Sequence, residues 1–136
     1  CDILVWVNSI APLQSSNEIR NAVKYFKKNR FNSLVTTNTF FNHAINNKKP
    51  INFNLNTKFA KTQDLNPIDL LVYSQMMWNT SSFIKSYKKK GSGILHGKIG
   101  YFQVSKVAGI IIKYESDLKL ASILLKNSKF KLQYYK

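Results

Sequence analysis

The sequence predicts an α/β domain, a mixed sheet flanked by helices, on three observations. The chain opens on a continuous apolar run, Ile3-Leu4-Val5-Trp6-Val7, of the kind that forms a strand inside a parallel sheet. A capped amphipathic segment follows after a short loop. A second apolar strand, Ser33-Leu34-Val35-Thr36-Thr37, comes next, so strand, helix and strand make a βαβ unit whose default crossover is right-handed.

The elements follow in order. Asp2 to Asn8 reads as a buried strand that stops at Ser9-Ile10-Ala11-Pro12. Ser15, with Glu18 three residues later, forms a capping box. The helix it opens carries Ile19, Ala22, Val23 and Phe26 on one face and Arg20, Lys24, Lys27 and Lys28 on the other. Residues 40–62 are rich in Asn and Lys, are broken by Pro50, and contain the alternating piece Ile51-Asn52-Phe53-Asn54-Leu55. They read as a hairpin arm protruding from the sheet and available to a second subunit. Leu71 to Trp78 is a strand, with Met76, Met77 and Trp78 as core. A helix from Ser81 to Lys89 turns Phe83, Ile84 and Tyr87 inward, and Gly91 after Lys88-Lys89-Lys90 supplies its C-terminal stop. Lys98 to Val104 and Gly109 to Lys113 read as two further strands. The last helix starts near Glu115 and buries Leu118, Ala121, Leu124 and Leu125. One domain over residues 1–127 and a basic, aromatic tail over 128–136 complete the organisation.

Composition bounds the partners. The chain has 136 residues, 21 Lys and Arg against 6 Asp and Glu, and a formal charge of +15. Phosphate or acidic partners are the first expectation for such a charge. Only Arg20 and Arg30 are arginines, whereas bidentate phosphate and base recognition favours Arg. The scattered lysines, accompanied by abundant Asn, therefore read mostly as solvated surface, and nucleic acid is not the expected partner. A single cysteine, Cys1, excludes an internal disulfide framework and points to a reducing, cytoplasmic setting. No apolar run approaches the roughly 18 residues of a membrane span. His43 and His96 have no partner at ligand spacing, and Gly91-Ser92-Gly93 reads as a turn rather than a phosphate loop.

The order of five segments carries a resemblance. Asn8-Ser9-Ile10-Ala11-Pro12-Leu13-Gln14, then Ser33 to Thr37, Lys61-Thr62-Gln63-Asp64-Leu65, Gly97 to Phe102, and Ile110-Ile111-Ile112-Lys113-Tyr114-Glu115 together resemble the acylneuraminate cytidylyltransferase family over nearly all of residues 2–126. In that family the first loop reads approximately Gln-Pro-Thr-Ser-Pro-Leu-Arg, the middle Arg-Gln-Asp and the end Asp-Ile-Asp-Thr. Pro12, Leu13, Gln63 and Asp64 keep the pattern, and Asn8 stands where the family has Gln.

The resemblance implies a nucleotidyltransferase-like, Rossmann-like fold whose arm pairs two subunits in a homodimer. It also implies an activity in which CTP and an acidic sugar such as sialic acid give a CMP-sugar and pyrophosphate. Asn8, Ser9, Lys61, Gln63, Asp64, Lys98, Lys106 and Lys113 are the substrate-side residues it suggests. Mg2+ would be the family's cofactor, yet the two aspartates that look like its ligands fall on Ile111 and Lys113, and a hard cation requires oxygen. The family's N-terminal basic, Gly-containing loop has no counterpart after Cys1. The chain thus reads as the C-terminal portion of such an enzyme, its first βαβ portion missing, and no turnover is expected of it alone. A metal-less sugar or nucleotide binder and a basic nucleic-acid-binding module are the alternatives.

Overall fold

The computed structural model describes residues 1–127, so the 128–136 tail lies outside the described residues. The elements are β1 (Ile3–Val7), α1 (Ser16–Asn29), β2 (Ser33–Phe40), β3 (Ile45–Asn46), β4 (Lys49–Pro50), a 3-10 turn (Thr62–Asp64), β5 (Ile68–Asn79), α2 (Thr80–Lys90), β6 (Ile99–Gln103) and α3 (Glu115–Asn127). The α/β expectation holds. One four-stranded mixed sheet has the order β1-β5-β2-β6, and β3 and β4 form a separate small hairpin in the expected arm.

The pairing corrects the first strand. β1 was expected inside a parallel sheet, but it is an edge strand antiparallel to β5, with Ile3 opposite Asn79 and Val7 opposite Gln75. β5 is also antiparallel to β2. β1 and β2 therefore run the same way, as a βαβ unit requires, but β5 is inserted between them. β2 and β6 pair in parallel, Ser33 with Ile99 through Thr37 with Gln103. Because β1 occupies an edge, Leu4 and Trp6 remain 46% and 42% exposed despite their apolar character.

Strand alternation divides the core. Leu34 and Met77 point to one face and pack with Ala22 and Phe26 of α1, with Ile3, Val5, Val23 and Phe102 around them. Val35, Met76 and Trp78 point to the other face, where Phe83 of α2 covers them. The Ser15–Glu18 capping box is present in full, and α1 ends on Arg30 in the left-handed region, φ 54°. Asn79 caps α2 by accepting from Ser82 N–H.

Three further expectations need correction. Ile84 and Tyr87, expected inward, are exposed; α2 packs on the sheet core through Phe83, which covers Val35, Met76 and Trp78. Leu118 of α3 is exposed, while Ala121 is buried. Gly109–Lys113 is not a strand: this segment is irregular and is joined to the rest by a bond from Ile112 N–H to the Ile10 carbonyl (2.8 Å). The positions alongside β2 are already taken by β5 and β6.

Candidate functional site

The site begins with an irregularity in β5. Ser33, Leu34 and Val35 pair with Trp78, Met77 and Met76, but Thr37 pairs with Leu71, so β5 carries extra residues between the two registers. Such a bulge bends its strand and re-aims side chains. Within it Tyr73 has φ 51°, a left-handed conformation that costs a residue with a Cβ about 1–2 kcal/mol. Neighbouring groups hold it in place. Asn8 N–H donates to the Ser74 carbonyl (2.9 Å) and Asn8 Nδ2 to the Tyr73 carbonyl (3.2 Å). Buried Thr36 accepts from Gln75 N–H (3.1 Å) and lies 3.0 Å from the Ser74 hydroxyl. Gln75 is fully buried, and its carboxamide makes no hydrogen bond among the described residues, a desolvation cost of about 1–3 kcal/mol for each such group.

This bulge forms one wall of a cleft of about 600 Å3 at the C-terminal ends of β1 and β2. Leu70, Tyr73, Asn38, Ile111, Lys113 and Asp117 are among the residues lining it, with Asn8 at its edge. Buried Asn38 orients its amide to donate to the Val104 (3.0 Å) and Ser105 (3.2 Å) carbonyls. Gly109 has no side chain because a Cβ there would collide with the Asn38 carboxamide. The opposite wall is the entry to α3. Asp117 Oδ2 accepts from the backbone N–H groups of Lys113 and Tyr114, both 2.9 Å. Those two bonds, with the nearby Lys113 charge, hold the Asp117 carboxyl below the usual carboxylate range against a small opposing effect of burial.

The loop that carries Lys106 is tied to α1. Glu18 Oε1 accepts from Ser105 N–H (3.0 Å), and Glu18 Oε2 from Ser15 N–H (3.1 Å) and the Ser15 hydroxyl (2.9 Å). Burial works to raise the Glu18 carboxyl, but hydrogen bonds from Ser105 and Ser15 outweigh it and leave it lowered.

Of the residues selected from the sequence, the cleft unites Asn8 and Lys113. Both polar atoms of the Asn8 side chain are engaged within the chain, Nδ2 with Tyr73 and Oδ1 with Ile10 N–H (3.2 Å). Ser9 is exposed on the turn after β1, and Lys61, Gln63 and Asp64 are exposed on and beside the 3-10 turn. Lys106 is exposed after β6. Lys98 is at the other end of the sheet, its Nζ donating to the Asn29 carbonyl (2.9 Å) and lying 5.2 Å from the Phe31 ring centroid. Sequence reasoning missed Asn38, Tyr73, Tyr114 and Asp117 as lining residues. For Tyr73 no signal existed, because a Tyr within an apolar run does not announce a left-handed backbone. For Asn38 the signal is weak, because a polar residue just past the apolar run Ser33 to Thr37 does not show that the strand continues to Phe40.

The donor set does not fit Mg2+. Ile111 offers no oxygen, Lys113 is a cation, and the Asp117 carboxylate already accepts two backbone bonds. Among the described residues no cluster of three or more His, Cys, Asp or Glu could hold a metal ion, and no helix is long and apolar enough to cross a membrane. No family model matches the chain, and no curated protein matches it.

Proposed function

We propose that the chain forms the acidic-ligand side of a cytidylyltransferase-like site, with the cleft receiving a negatively charged sugar or nucleotide against Lys113. The observation that carries this reading is the meeting of Asn8 and Lys113, from opposite ends of the chain, in one concave pocket at the C-terminal ends of parallel strands. That location is where ligands gather in open α/β sheets. Lys113 supplies a point charge for a carboxylate or phosphate. The Tyr73 and Tyr114 hydroxyls add neutral donors suited to sugar hydroxyls. In the full reaction implied by the resemblance, CTP and the acidic sugar yield a CMP-sugar and pyrophosphate.

The test is a titration of the 136-residue chain with N-acetylneuraminate and with CTP, followed by amide NMR. Saturable shifts at Asn8, Ile111 and Tyr114 are expected, and Lys113→Ala should weaken binding about tenfold, the size of one charge-assisted hydrogen bond. A neutral N-acetylhexosamine should bind no better to the wild type than to the variant. Absence of saturable shifts, or a Lys113→Ala chain that binds as tightly as the wild type, would overturn the reading.

A second reading keeps the pocket and drops nucleotidyl transfer, leaving a metal-free binding protein. The cleft's donor set favours it, since Ile111 and Lys113 leave no carboxylate cage. It predicts that adding Mg2+ or a chelator leaves the affinity for N-acetylneuraminate unchanged.

A further inference from the structure

A second pocket lies at the opposite end of the sheet, beside the N-terminal ends of β2 and β6. Ser82, Lys85, Ser86 and Lys89 recur at i, i+3, i+4 and i+7 along α2 and so share one helix face, and Lys90 flanks them. That face meets Asn32, His96 and Gly97 across a pocket of about 250 Å3. His96 holds the wall in place. Its Nδ1 lies 2.7 Å from the Gly93 carbonyl, which can only accept, so Nδ1 carries a proton. Its Nε2 lies 2.8 Å from the Ser82 hydroxyl, and its backbone N–H and carbonyl both bond the Ser33 hydroxyl (3.1 and 2.9 Å). Ser82 Oγ is also 3.1 Å from the Asn79 carbonyl, so the hydroxyl can donate to either neighbour while the ring stays fixed.

The unused groups around this pocket are donors. Gly97 has φ 60°, and a Cβ there would collide with Asn32 Oδ1. Gly97 lines the pocket, and its backbone N–H has no partner among the described residues. Asn32 Oδ1 is taken by Lys98 N–H (2.8 Å), leaving Nδ2 unpaired among the described residues. Lys85, Lys89 and Lys90 form no ion pair there either, and no carboxylate lines the pocket. The helix dipole accommodates Lys89 and Lys90 in the last turn, but it does not reach Lys85 in the middle of the helix. Lys85 and Lys89, spaced i, i+4, repel one another.

From this arrangement we infer that the pocket binds a phosphate-class oxyanion, held by the ammonium groups of Lys85 and Lys89 and by the Gly97 N–H. A doubly charged oxyanion with several acceptor oxygens matches a lining of three ammonium groups and two neutral donors better than a carboxylate does. The phosphate can come from a small phosphorylated molecule or from a nucleic-acid backbone, since both present the same group. This inference is independent of the cleft proposed above, because it uses none of its residues.

The experiment is an amide NMR titration of the 136-residue chain with inorganic phosphate at constant ionic strength. Saturable shifts at Gly97, His96 and Ser86 are expected. Lys85→Ala/Lys89→Ala should weaken binding by about tenfold or more, whereas Lys113→Ala should leave it unchanged, which separates this site from the cleft. Both lysines are exposed, and the double variant's dispersed spectrum checks its fold. Shifts that fail to saturate, or a folded double variant with wild-type affinity, would overturn the site. Lys85→Arg/Lys89→Arg should restore part of the affinity, whereas a purely structural role for the lysines would leave all variants alike. An oligothymidylate of about eight nucleotides identifies the source. If it displaces phosphate from the same amides with a steep salt dependence, the site serves a nucleic-acid backbone; if phosphate stays bound, the site serves a small molecule. Either result upholds the phosphate site.

Discussion

The two ends of the sheet are built by different means. At the C-terminal end the chain holds a left-handed Tyr73, a buried Asn38 and a bulged strand in place with bonds from Asn8, Thr36 and the 104–105 carbonyls. The Asn8, Asn38 and Thr36 side chains at that end are spent on the scaffold, and Lys113 is the cation lining the cleft. At the N-terminal end a single histidine braces the wall and the serine hydroxyls bond within the chain, while the three lysines and the Asn32 Nδ2 have no internal partner among the described residues. Shape dominates the first site and charge the second. The contrast teaches that a strongly basic chain need not place its ligand chemistry where its lysines are densest.

Substitutions sharpen this comparison in descending order of effect. Gly109→Ala drives a methyl into the Asn38 carboxamide, which is buried and oriented by two carbonyls. It should lower unfolding stability by about 2–3 kcal/mol, as overpacking does, and abolish ligand shifts in the cleft. Gly97→Ala, at φ 60° beside Asn32, should cost about 1–2 kcal/mol for the left-handed backbone, plus whatever the half-buried Asn32 side chain cannot relieve by moving aside, and remove phosphate shifts while sparing the cleft. Equal losses from the two would break the claim that the cleft end is the more constrained. Urea unfolding of both variants decides it.

The cleft end also rests on the α1 cap. Ser15→Ala should cost about 1 kcal/mol, the usual value of an N-cap hydroxyl, with the 104–109 loop loosened because Glu18 loses part of its anchor. Amide exchange at Ser105 checks this. Acid should act on the same end. Glu18 and Asp117 have folded-state values below their unfolded ones, so the stability they contribute is present in full above the ordinary carboxylate range and is lost as pH falls through the lowered folded values. Glu18→Gln should flatten that decline in urea midpoints measured from pH 5 down to about pH 3. The smallest effect belongs to the other end. Lys89→Ala removes a cation with no ion pair and should change stability by less than about 0.5 kcal/mol, so a larger loss in thermal unfolding would mean that the lysines are structural.

Local pattern was legible where one element determines itself. The Ser15–Glu18 box, the inward Ala22 and Phe26 of α1, and the Gly91 stop of α2 could all be read directly, because capping and helical periodicity depend on neighbours within a turn or two. The arm's hairpin lies within the expected 40–62 region, but it forms between Ile45–Asn46 and Lys49–Pro50, while the alternating piece from Ile51 to Leu55 that suggested it forms no strand. Burial on the second helix and the last helix was not legible. Ile84, Tyr87 and Leu118 have the right spacing to face inward, but spacing only says which residues share a face, and the sheet decides how much of that face is covered. Of the eight residues selected for the site, Asn8 and Lys113 converge in the cleft while Lys98 lies at the far end of the sheet.

By itself the sequence determined the four strands of the main sheet, the three helices, the capped start of α1 and the excess of positive charge. These follow from periodicity, capping chemistry and composition, which act over short distances along the chain. Only the tertiary structure decided that β5 inserts between β1 and β2, that its bulge turns Tyr73 left-handed, and that Gly109–Lys113 stays irregular beside the cleft. Those outcomes depend on which strand wins the backbone partners of β2, a competition between segments far apart in the chain that no local pattern encodes.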